Sequence, residues 1–80
     1  MNGLSAATNV LAPAYYLLRE RGYHVYFVKE HDWWIAEKED VRLVAYNAIE
    51  LCGIAYIYES KGENWSVSDE AIEAYLQLEL

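Results

Sequence analysis

His24, His31, Asp32 and Cys52 are the residues whose types suit metal ligation or nucleophilic chemistry. Their spacing supports neither. A zinc site draws together three or four ligands, and the chain carries no C-x₂-C or H-x₃-H pattern to supply them. His31-Asp32 reads instead as a polar hairpin turn. Cys52 lies inside an apolar run, where a thiol behaves as a small core residue rather than as an activated nucleophile beside a base. Glu37, Glu39 and Asp40 mark no hydrolytic acid pair in a chain this rich in carboxylates, and Glu39-Asp40 reads as a second turn. The four glycines form no phosphate-binding loop. The sequence thus points to no catalytic, cofactor-binding or metal residue. One chemical alternative stays open: a small enzyme or ligand-binding protein with a shallow site around His24, Glu37 and Arg42, the imidazole serving as general base.

The aromatic content carries more information. Eight tyrosines and three tryptophans stand against one phenylalanine, so nearly every ring has a polar edge. Such side chains bury a large apolar body while keeping a hydrogen-bonding tip, and they concentrate where protein surfaces meet. The chain has 80 residues, enough for one domain spanning 1–80, and a chain of this size buries only around 60% of its unfolded surface. A second subunit would relieve that ratio, so a homodimer is an option.

Thirteen acids against six bases give a net charge of −7, which disfavours binding a nucleic-acid backbone and suits a basic protein partner. Residues 59–80 hold six carboxylates against Lys61 alone. That acidic end either solubilises the chain, steers a cationic partner, or mimics nucleic acid in a basic groove. A single cysteine excludes an internal disulfide and fits a reducing cytoplasm. The N-terminal residues Met1 to Ser5 lack the features of a secretion signal, and no run approaches a membrane span. A cytoplasmic location is expected.

Periodicity places these residues on elements. Leu4, Ala7, Thr8, Leu11, Tyr15 and Leu18 recur at helical steps over residues 4–21, with Gly22 as the stop and Pro13 as a source of a kink or of two short helices. From Tyr23 to Tyr46 β-branched and aromatic residues predict a three-stranded antiparallel meander broken at Glu30-His31 and Glu39-Asp40. Two-residue turns at both breaks set Lys29 opposite Asp32 and Lys38 opposite Val41. Asn47-Ala48-Ile49-Glu50 reads as a capping box for a second helix. Residues 51–58 carry no charge and predict a central, all-round buried helix, with a strand over 54–58 as the competing reading. Ser60 to Asn64 reads as a polar loop pinned by Trp65, and Ser68 caps a third helix with Val67 and Ile72 as a staple and Ile72, Tyr75 and Leu76 as its inner stripe. The order is α-β-β-β-α-α, an α+β domain with helices packed mainly on one sheet face.

That register sorts the strands into two faces. Val25, Phe27, Trp34, Ala36, Val41, Leu43 and Ala45 form the face that packs on helices. The other places Tyr26, Trp33, Ile35, Val44 and Tyr46 at its centre and His24, Glu37 and Arg42 at its rim, with Val28 alongside and Glu37–Arg42 as a cross-strand pair. Rings in the middle and charges outside is the anatomy of a protein interface. The expected function is a small acidic interaction module of inhibitor, immunity or adaptor type, binding itself or a basic protein through this face.

Overall fold

The computed structural model describes residues 3–5 and 9–80, which form three strands, three α-helices and one 3-10 turn. Their order is α1 (Leu11–Glu20), β1 (His24–Val28), β2 (Trp33–Lys38), β3 (Val41–Ala45), α2 (Ala48–Lys61), the 3-10 turn Gly62–Asn64, and α3 (Asp69–Leu78). The strands make one antiparallel sheet in the order β1-β2-β3. The fold is α+β, as the sequence predicts.

The first helix is shorter than its periodicity suggests. Gly3, Leu4 and Ser5 are not helical, Ala7 and Thr8 lie outside the described residues, and the helix begins at Leu11. Pro13 then falls in the first turn, where a backbone amide has no partner within the helix, so no kink arises. At the other end Gly22 adopts φ +97°, its amide donates to the Arg19 carbonyl at 3.0 Å, and Tyr23 donates to Leu18 at 3.1 Å. This is a Schellman stop, which a left-handed glycine permits.

The sheet has the expected register: Val25 pairs with Ala36 and Ala36 with Leu43. The β1–β2 connection, however, is a four-residue loop rather than a two-residue turn. His31 donates to the Val28 carbonyl at 3.3 Å, Asp32 to Lys29 at 3.4 Å, and Asp32 takes φ +53°. Widening the loop symmetrically about Glu30-His31 leaves the pairing unchanged. The β2–β3 turn is Glu39-Asp40, with Glu39 at φ +57°.

Asn47 caps α2 by accepting from the Glu50 amide at 2.8 Å, and Glu50 in return accepts from the Tyr46 amide at 2.9 Å, one residue ahead of the cap. Residues 54–58 are helical, and the helix runs on through Ser60 and Lys61, two residues the sequence assigns to a loop. Ser68 caps α3 by accepting from Ala71 at 3.1 Å, and Asp69 and Glu70 lie at the positive end of the helix.

Helices α1 and α2 pack against each other and on one sheet face, burying Leu18, Tyr23, Val25, Ala36, Leu43, Ala45, Leu51 and Ala55. Trp34 and Val41 are half-buried beside them. Phe27, expected in the core, is exposed along a groove of about 540 Å³ that also runs past Leu11, Tyr15 and Trp34, where α1 leaves the far end of the sheet uncovered. A polar clasp closes the other end. Glu59 of α2 accepts from the Arg21 guanidinium and from the Tyr23 hydroxyl, the latter at 2.8 Å, and the Lys38 ammonium donates to the Arg21 carbonyl at 2.8 Å.

Three expectations of burial fail together. Helix α2 buries Ala48, Leu51 and Ala55 while Ile49, Ile54, Tyr56 and Ile57 point outward, because α1 and the sheet cover only one of its sides. Trp65 is 62% exposed rather than an anchor. Helix α3 has no buried residue: Ile72, Tyr75 and Leu76, and with them Val67, are exposed because α3 packs on neither the sheet nor α1 among the described residues. The Cα radius of gyration is 14.6 Å, against about 12 Å for a compact chain of this length.

Candidate protein-binding surfaces

Pairing across the sheet brings the expected site residues together on the face that α1 and α2 leave open. His24, Glu37 and Arg42 form one row, and Tyr26, Ile35 and Val44 the next. Trp33 pairs with Val28, and Tyr46 follows the end of β3. Among the described residues no helix covers this face.

Its side chains organise one another. Arg42 Nε pairs with Glu37 Oε2 at 3.2 Å, the expected cross-strand pair. Arg42 Nη2 also donates to the Tyr26 hydroxyl at 3.2 Å, spanning β2. The ring centroids of His24 and Tyr26 lie 5.1 Å apart, and those of His31 and Trp33 4.8 Å. Exposure then separates contact residues from support. Tyr46 is 75% exposed and Trp33 and Val44 are both 39% exposed, so each offers apolar surface. Ile35 is only 2% exposed. It sits on the central strand between Tyr26 and Val44, and is therefore the floor of this surface and not one of its contacts.

Of the chemical alternative, the row His24, Glu37 and Arg42 is assembled, and its guanidinium is already committed to Glu37 and Tyr26. Among the described residues no three His, Cys, Asp or Glu side chains converge as a metal would need. The Cys52 thiol donates to the Ala14 carbonyl at 3.3 Å between α1 and α2, and burial pushes its pKa up, the opposite of what a nucleophile needs.

A second surface lies on the helical side, among residues whose pattern predicts a core. Leu43 of β3, Ile54, Ile57 and Tyr58 of α2, and Trp65 line an apolar groove of about 290 Å³. The stripe Ile72, Tyr75 and Leu76 of α3 stands exposed further along the chain. The signal that separates these from a core was the total apolar content: 55% of a chain too short to enclose so much of it.

No family model, curated protein or solved structure matches this chain. Among the described residues no helix is long and apolar enough to cross a membrane. The fold and its surfaces therefore carry the functional reading.

Proposed function

We propose that this chain is a protein-interaction module that docks a partner on the open face of its sheet, acting by binding rather than by catalysis. The carrying observation is the exposure of Trp33, Val44 and Tyr46 over the buried floor Ile35, on a face that no helix covers among the described residues. Aromatic and aliphatic centres inside a rim of charge are where binding energy concentrates. The rim here is pre-ordered, since Arg42 is held by Glu37 and Tyr26, and that lowers the entropy cost of docking. A net charge of −7 favours a basic protein partner over nucleic acid. The lone Cys52 supports a reducing compartment such as the cytoplasm. Inhibitor, immunity and adaptor proteins act in this way.

Immobilised wild type and a Trp33→Ala, Tyr46→Ala double variant, each incubated with cytosol of the source cell, test the reading. A basic protein retained by the first and lost by the second supports it, provided circular dichroism shows both folded. For that partner, Trp33→Ala should weaken affinity by about 2 kcal/mol, roughly 30-fold. Equal retention by both proteins would refute it.

A further inference from the structure

We propose that the chain forms a two-fold dimer in which α3 of each copy lies in the α2 groove of the other. The occupant follows from what α3 lacks. A ten-residue helix is marginal in water on its own, and helices of this length hold only by packing an apolar side. Yet α3 has a Ser68 cap, acids in its first turn and an apolar stripe at Ile72, Tyr75 and Leu76, while among the described residues it makes no extensive contact with the sheet, α1 or α2. It is built to dock, and its site is not on its own sheet.

The same chain carries a matching receptor. Ile54, Ile57 and Tyr58 repeat along α2 with the spacing that Ile72, Tyr75 and Leu76 have along α3, so each helix presents an i, i+3, i+4 ridge for helix-on-helix packing. Trp65 lines this groove, and the chain beyond it runs to α3, whose apolar stripe is exposed. A second copy supplies the helix.

The areas agree with this. The accessible surface is 6722 Å², whereas a compact monomer of this mass exposes about 5,000 Å². The excess, on the order of 1,700 Å² over the whole molecule, is shared by the α3 stripe and α2 groove with other exposed residues such as Leu4 and Tyr46, and leaves room for the ~800 Å² that each partner contributes to a standard interface. Reciprocal exchange buries groove and stripe on both copies at once, and a two-fold arrangement closes at the dimer instead of growing into a filament. The exchange leaves the open sheet face free for the partner proposed above.

Light scattering on the full chain from micromolar to millimolar concentration, with Ile57→Glu and Leu76→Glu beside wild type, tests the exchange. Wild type should have twice the chain mass, and each variant should be a folded monomer. Mixing the two variants should restore a weaker heterodimer, because one intact groove and one intact α3 remain in that pair. A wild-type monomer over the whole range, or no heterodimer on mixing, overturns the proposal. If either variant fails to fold, hydrogen exchange on wild type decides: α3 protection that rises with concentration supports exchange, and protection independent of concentration overturns it. Trp33→Asp should stay dimeric while losing the partner on the sheet; a monomeric Trp33→Asp would move self-association to the sheet face and overturn the helix exchange alone.

Discussion

The guanidinium of Arg42 on β3 reaches over the middle strand to the hydroxyl of Tyr26 on β1, 3.2 Å away, while pairing with Glu37 on β2. One side chain thus touches all three strands on the face opposite the helices. Each contact is exposed and worth little alone. Together they tie Tyr26, the cross-strand neighbour of Ile35, to the other two strands.

Ile35 should accordingly behave as a core residue. Ile35→Ala is expected to cost about 2–4 kcal/mol, read from the urea midpoint, while Val44→Ala on the same row costs under about 1 kcal/mol. Equal small losses would return Ile35 to the contact surface.

Two backbone positions should gain stability when changed. Glu39 holds φ +57° in the β2–β3 turn, so Glu39→Gly relieves about 1 kcal/mol of left-handed strain after glycine's own entropy cost. Gly53 lies inside α2 and a Cβ added there meets no atom within 4 Å, so Gly53→Ala should add about 1 kcal/mol through helix propensity. Each should raise Tm by roughly 4–8 °C in calorimetry.

The clasp at Glu59 gives the fold an alkaline and an acidic limit. Burial, with the bond to Glu59, pushes Tyr23 from 10 up to about 12. A group whose pKa is raised by folding contributes fully below its unfolded value and loses that contribution as pH rises to the folded one, here between pH 10 and about 12. Hydrogen bonds from Arg21 and Tyr23 hold the Glu59 carboxyl below its ordinary value, so its contribution is present above the usual glutamate range and disappears as pH falls through the lower, folded one. Thermal melts should show Tyr23→Phe less sensitive than wild type above pH 10, and Glu59→Gln less sensitive in acid. Parallel pH curves for wild type and variant would exclude the clasp.

Salt should act in opposite directions on the two surfaces. Each copy carries a net charge of −7, so screening relieves repulsion between copies and the α3-exchanged dimer should tighten as salt rises. Docking of a basic partner on the sheet should slow over the same range. Sedimentation equilibrium reads the first and stopped-flow association the second.

The sheet and its faces were legible because a period of two, fixed at both ends by Glu30-His31 and Glu39-Asp40, leaves one register consistent with Val25, Ala36 and Leu43 facing inward. Caps at Asn47 and Ser68 were legible for the same reason, since short polar side chains ahead of acids have a local meaning. The start of α1 was not, because Leu4 continues the helical spacing while Pro13 is tolerated best near a helix start. Nor could spacing tell Ile72, Tyr75 and Leu76 from a core stripe: an amphipathic helix looks the same whether its partner is its own sheet or another molecule. Spacing puts Ile35 in the row of Tyr26 and Val44, and its 2% exposure, which spacing cannot reveal, separates it from them.

No side chain of α3 enters the core, and this separates two kinds of selection along the chain. Substitutions at Leu18, Ala36, Leu51 or Ala55 are judged first by whether the molecule folds. Substitutions at Ile72, Tyr75 or Leu76, whose side chains lie outside that core, escape this test. Drift along α3 can therefore alter its apolar stripe without first weakening the core, which makes this helix a place where related sequences could diverge while keeping the same sheet.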